Sequence, residues 1–164
     1  MNMKKLVVIF GAGLLALAAV SCGTTTKMTA EQQQALRTAI ENRNFTITVD
    51  KAFPQRGNMI NLTSPYSLTI KGDSVYSYLP YFGQAYSIPY GGGAGLNFNG
   101  TLTDYEIAAG KRGVNIVTFR VQSPDGRVEY RLEIESEGSS TITVNSQNRQ
   151  SIRFMGDMED PVKK

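Results

Sequence analysis

Histidine and tryptophan are absent from the 164 residues, and cysteine occurs once, at Cys22. Each absence closes a class of chemistry. Without histidine there is no Ser-His-Asp or Cys-His catalysis and no side chain that ordinarily shuttles protons near neutral pH. One cysteine cannot form a disulfide within the chain. A zinc site would have to be built from carboxylates alone, unlike structural or catalytic zinc. No apolar run reaches the roughly 20 residues of a membrane-spanning helix. The longest, Leu6 to Val20, is shorter and follows Lys4 and Lys5. The run Gly91-Gly92-Gly93-Ala94-Gly95 lacks the Lys-Ser/Thr ending of a phosphate loop, and no helical pattern follows it.

What is present at the start reads as a secretory signal: a basic segment, an apolar core and a small-residue site. Its end, Ala19-Val20-Ser21-Cys22, resembles the lipobox of bacterial lipoproteins, although leucine is commoner where Ala19 stands. The resemblance implies cleavage before Cys22, diacylation of its sulfur and acylation of its new amine. No thiolate nucleophile then remains. Gly23 stands where an inner-membrane retention signal would have Asp, and Thr24 to Lys27 lacks the acidic cluster of a surface-export signal. The implied address is the periplasmic face of the outer membrane, with the bilayer as a partner through acylated Cys22. Loss of Lys4 and Lys5 leaves fifteen basic against fourteen acidic residues. Such a balance supports no basic patch, so no nucleic-acid partner is expected.

The expected organisation is a signal over 1–21, a tether over 22–28, one domain over 29–156 and a loose tail over 157–164. Thr29 with Gln32 forms a capping-box pattern, and Leu36, Ala39 and Ile40 recur on one helical face, so a short helix is predicted to end near Asn42 to Asn44. From Phe45 the period falls to two. Strands are predicted at Phe45–Val49, Met59–Thr63, Tyr66–Ile70, Ser74–Leu79, Leu96–Ile107, Val114–Val121, Arg127–Glu135, Thr141–Asn145 and around Ile152–Phe154. Asn99-Gly100 is a tight turn or a bulge within the fifth of these, and Asn148-Arg149-Gln150 reads as a turn. About nine strands joined by short turns must curl, close or split. The predicted fold is mainly β: a closed or nearly closed antiparallel up-and-down β-barrel with one short N-terminal α-helix. If Phe45, Ile47, Tyr66, Leu68, Phe119, Tyr130 and Leu132 fill its interior, no room remains there for a ligand.

One stretch breaks the alternation. Val75 to Phe98 holds five of the eight tyrosines, with Phe82, Pro80, Pro89 and five glycines. Tyr76-Ser77-Tyr78-Leu79-Pro80-Tyr81-Phe82-Gly83, with Asp104-Tyr105 and Asn148-Arg149-Gln150-Ser151-Ile152, resembles the domain-of-unknown-function family numbered 4251. These are small envelope lipoproteins of Bacteroides-like bacteria. The resemblance implies a lipocalin-like barrel topology and an envelope address, and it implies no activity. Tyr78, Tyr81, Phe82, Tyr86 and Tyr90 are the candidate binding residues, since phenol rings offer apolar faces with a polar tip. The same rings also read as a packed cap over the barrel mouth, stiffened by proline, since aromatics first fill space.

Paired carboxylates are the one catalytic device left. Asp104 and Glu106, two apart, would share a strand face, as would Glu129, Glu133 and Glu135. Arg127 and Arg131 sit among the latter, as on a solvated face with cross-strand pairing. No catalytic residue, metal or cofactor is therefore expected. The expected protein is a non-enzymatic binding or interaction module for an envelope protein or small ligand, with a carrier of a small apolar molecule inside the barrel as the alternative.

Overall fold

The computed structural model describes residues 28–85, 95–124 and 126–162. The signal, Cys22, Tyr86 and Tyr90 lie outside the described residues. Helix α1 spans Ala30–Glu41. Thr29 starts it: its hydroxyl accepts from the Gln32 amide at 3.2 Å, and the Gln32 side chain accepts from the Thr29 amide at 2.9 Å. Asn42 closes the helix, and Arg43, at φ 52°, turns the chain into the first strand.

Eight antiparallel strands follow: β1 Asn44–Pro54, β2 Ile60–Lys71, β3 Ser74–Leu79, β4 Leu96–Ala109, β5 Asn115–Ser123, β6 Gly126–Ile134, β7 Ser139–Ser146 and β8 Arg149–Met158. Each pairs with the next, and β8 pairs back to β1, so the barrel is closed. Closure removes the free edges that an open sheet leaves exposed. The count is eight, not nine, because Met59–Thr63 and Tyr66–Ile70 fall within the span of one strand. Tyr66 pairs with Val49 and Asn61 with Lys51, so residues 62–65 bulge opposite Asp50. Pro65, which has no amide to donate, sits in that bulge, where the ladder asks for none.

Asn99 and Gly100 are not a turn; they pair with Tyr76 and Val75 inside β4. Gly100 has a packing reason instead. A Cβ there would strike Val121 Cγ1 and come within 3.1 Å of the Gln122 carbonyl oxygen. The irregularity of β4 is at Asp104, which has φ 53° and interrupts the register with β5 between Thr103 and Glu106. At the closing seam Gly156 pairs with Val49. A Cβ on Gly156 would collide with the Thr48 carbonyl oxygen and lie 2.6 Å from Val49 Cα.

The interior is filled by the alternate residues of every strand, with Tyr130, Phe119, Phe154, Ile47, Leu68 and Leu132 among the largest buried side chains. Three rings form a column: Tyr105 and Phe119 at 6.2 Å, then Phe119 and Tyr130 at 5.0 Å. Tyr130 on β6 donates across the barrel to Ser77 Oγ on β3 at 3.0 Å, and Ser77 donates to the Leu96 carbonyl at 2.6 Å. The Tyr105 hydroxyl donates to the Ile40 carbonyl at 2.8 Å, tying the barrel to the last turn of α1. The helix buries Leu36, Ala39 and Ile40, with Leu36 beside Gly138 of the β6–β7 turn. Asp157 and Met158, read as tail, belong to β8, and Asp160 beyond them accepts from Gln32 at 2.8 Å. The end of the barrel opposite α1 carries the β1–β2 turn and residues 80–85.

Candidate interaction surface

Inside β3 the pattern is strict: Val75, Ser77 and Leu79 are buried, while Ser74, Tyr76 and Tyr78 are exposed. The Ser77–Tyr130 and Ser77–Leu96 hydrogen bonds hold this register from within, so the two rings on either side of Ser77 must point out. Tyr76 and Tyr78 are 44% and 49% exposed. Neither hydroxyl has a hydrogen-bond partner among the described residues. Tyr66, expected inside, is half-buried, and its ring lies against Tyr78 at 5.3 Å. The adjacent bulge in β2 accounts for that displacement.

Past Leu79 the chain leaves the sheet and lies along the start of β8. Tyr81 folds in. Its hydroxyl is 3.0 Å from the carbonyl oxygens of both Gln84 and Gln150. The Gln150 amide donates to the Gln84 carbonyl at 3.1 Å, and Ala85 bridges to Arg149. Arg149 is a buried strand residue, not part of a turn, since the β7–β8 turn is formed by Gln147 and Asn148. Its guanidinium lies 5.1 Å from the Tyr81 ring centre and reaches toward the Gly95 carbonyl at 3.5 Å. Phe82 turns outward at 36% exposure. It lines a groove of about 390 Å³ with Pro54, Arg56, Met59, Ile60, Gln84 and Gln150.

The candidate set therefore divides. Tyr81 is a clamp that fixes residues 81–85 over the barrel mouth. Phe82 and Tyr78 stay exposed, one at the mouth and one on the wall, Tyr78 with one side against the Tyr66 ring. Tyr86 and Tyr90 lie outside the described residues. The set overlooked Tyr76, although its spacing of two from Tyr78 puts both rings on one face. It also overlooked Met59, Arg56 and Tyr66, which only the closure of β1 and β2 around the barrel brings alongside.

The carboxylates singled out do not converge in a cleft: Glu135 meets Glu137, which raises its pKa by hydrogen bonding, and both are exposed on the β6–β7 turn. Asp104 sits at the β4 irregularity, where alternation with Glu106 is lost, and binds Arg120 at 2.9 Å. Glu133 binds Arg131 at 3.1 Å on the outer face of β6. Among the described residues no group of three acidic, cysteine or histidine side chains could hold a metal ion. Two phenols are perturbed, and burial is the main cause in each. Tyr130 is pushed up strongly. Tyr105 is pushed up to about 12, with Arg43, 4.9 Å above its ring, pulling the other way. Both hydroxyls serve as hydrogen-bond donors within the fold, and neither faces a cleft.

A structural neighbour is the crystal structure of a DUF4251 family protein from Bacteroides eggerthii DSM 20697. It has a TM-score of 0.63 at 18% identity, covering 80% of this chain and 89% of that one. At that identity the likeness concerns the fold alone. No curated protein matches the chain. Neither the family model nor the neighbour indicates an enzymatic activity. The family model for the domain of unknown function DUF4251 matches residues 27–158, and the chain belongs to that family.

Proposed function

We propose that this protein is a lipid-anchored, non-catalytic contact module at the periplasmic face of the outer membrane, working through the exposed rings of β3 and its continuation. One observation carries the reading. Among the described residues, every ring that stays exposed comes from positions 76 to 82: Tyr76, Tyr78 and Phe82. Exposed aromatics gathered on one side, on a backbone pinned by buried hydrogen bonds, favour recognition by contact. The carrier alternative has less support, because interior positions that would line a ligand cavity are occupied by Tyr130, Phe119 and Phe154.

The anchor rests on the lone cysteine at the end of the apolar run. Cys22 precedes Met28 by six residues, a reach of about 20 Å when extended. Met28 lies beside Gly138, at the helix end of the barrel. In this reading the helix end faces the bilayer and the rings face the periplasm.

A photoreactive phenylalanine analogue at Tyr78 or Phe82, irradiated in intact cells, tests the contact; Glu133 is the control position. Adducts from 78 or 82 and none from 133 are expected. Equal labelling at all three positions, or none at any, defeats the reading. Mass spectrometry of the mature N-terminus tests the anchor, and an unmodified Cys22 sulfur would remove it.

A further inference from the structure

Two neighbouring rows of the barrel wall that carries the exposed tyrosines hold no charge across four strands. The register of β1 to β4 lines up Thr48, Ser67, Tyr78 and Asn97 in one row and Thr46, Thr69, Tyr76 and Asn99 in the next. All eight are half-buried or exposed. Charged positions border the two rows: Asp157 pairs with Thr48 from β8, Asp50 is the next outward residue of β1, and Lys71 lies one row further toward α1, beside Ser74 and Thr101. The two exposed phenols are about 7 Å apart along β3, and the Tyr66 ring lies against Tyr78. Asn97 and Asn99 flank them and, like the rings, have no side-chain hydrogen bond among the described residues. Each carboxamide offers two donors and an acceptor.

The composition limits the partner. Within these two rows an ionic ligand or an acidic or basic protein face would find no counter-charge; the charges at their margins are Asp157, which pairs with Thr48 from β8, and the ion pairs Lys51–Asp50 and Arg43–Asp73. A β-strand cannot add to the wall, because a closed barrel has no edge to extend. A hydrophobic protein interface would want a dry apolar centre, yet small hydroxyls and amides surround the rings. An uncharged sugar chain meets each condition. Its ring faces are apolar C–H surfaces that lie flat on phenols, and its hydroxyls pair with amides and Thr or Ser.

We infer that the Tyr76–Tyr78 face, with Asn97 and Asn99, is a binding platform for an uncharged oligosaccharide. This deepens the contact reading above and rests on it: it names the class of partner for the wall.

The experiment uses the barrel with Cys22 replaced by Ala, so that it is water-soluble. The probes are cellohexaose and N-acetylated chitohexaose as neutral chains, with hexagalacturonate as the anionic comparison. Binding is followed by saturation-transfer NMR on the sugar and by the side-chain amide signals of Asn97 and Asn99. The expected result is binding of a neutral chain in preference to hexagalacturonate, with movement of those two amide signals. Removal of either ring, as Tyr76→Ala or Tyr78→Ala, should weaken it by about tenfold. The N97A/N99A pair, which keeps both rings, serves as a second variant and should also weaken binding.

Neutral-chain binding unchanged by all of these substitutions overturns the inference. So does preference for hexagalacturonate. Absence of binding by either neutral chain, while crosslinking from Tyr78 still captures an envelope protein, overturns the sugar assignment and leaves the contact module standing. Absence of both removes the two together.

Discussion

Opposite walls of this barrel have been built from different residue types on the same scaffold. On β1 to β4 two neighbouring rows of outward positions are threonine, serine, asparagine and two exposed tyrosines, with Asp50, Lys71 and Asp104 beyond them. On β5 to β7 they are arginine, glutamate and threonine: Arg120 opposite Glu129, then Thr118 opposite Arg131 opposite Thr143. The inward residues of the two walls are alike, apolar and buried. Folding therefore constrains only the inside and leaves the outside free to differ. The charged wall is an ordinary solvated face whose pairs contribute little, typically ~0–1 kcal/mol each when exposed. The uncharged rows expose the Tyr76 and Tyr78 rings, which the barrel interior does not use. That difference is why the contact surface proposed above lies on β3 and not on β6.

Besides the β4–β5 ladder, the walls are tied through the β8–β1 seam and across the interior, and the strongest test breaks the seam. Gly156 lies on the β8–β1 seam, where a methyl group would meet the Thr48 backbone. Gly156→Ala is expected to destabilise the protein by about 3 kcal/mol or more, because backbone and not a flexible side chain must move. Urea unfolding should show a clearly lower midpoint. An unchanged midpoint would mean that the seam is looser than described.

The second tie is the hydrogen bond from Tyr130 on β6 to Ser77 on β3. Tyr130→Phe keeps the ring stack and removes the donor, at a cost of about 1 kcal/mol. Ser77 still donates to Leu96, so Tyr76 and Tyr78 should remain outward, and amide hydrogen exchange in β3 should speed up only moderately. Wholesale loss of protection in β3 would show that the cross-barrel bond alone sets the wall's register.

A smaller effect is expected with pH. Tyr105 titrates near 12 in the fold against 10.0 for its ordinary value. The folded pKa is the higher, so this phenol's contribution is complete below pH 10. It is lost as pH rises from about 10 toward 12, while the unfolded chain gives up its proton first. Stability should therefore fall across that window, less steeply in Tyr105→Phe. The urea midpoint followed from about pH 9 to about pH 12 reads it. A slope identical in the variant would count against the assignment.

The smallest stability changes should come from the outer faces themselves. R131A/E133A and Y76A/Y78A should each shift stability by roughly 0.5 kcal/mol or less, as exposed positions do. Only the tyrosine pair should abolish crosslinking from Phe82 or sugar binding. Equal loss of contact from both pairs would erase the distinction between the walls.

Much of the architecture follows from local pattern alone. The capping box at Thr29 and Gln32, the helix face of Leu36, Ala39 and Ile40, and the period-two strands are short-range features. The physics that produces them acts between neighbours in the chain. A closed barrel follows from many strands and short turns. Three features needed the tertiary structure. The merging of residues 59–70 into one strand depends on a bulge set by pairing with β1. Arg149 became a buried residue because Tyr81 folds back over it, a contact across 68 positions that no local pattern carries. The division of the aromatic stretch into the clamp Tyr81 and the exposed rings of Tyr76, Tyr78 and Phe82 depends on which side of β3 Ser77 is tied to. By itself, the amino-acid order determined where the rings are, which chemistries are missing and that alternate residues face inward. Tertiary structure decided which rings are consumed in packing and which remain available, because that choice rests on partners brought together only when β8 closes against β1.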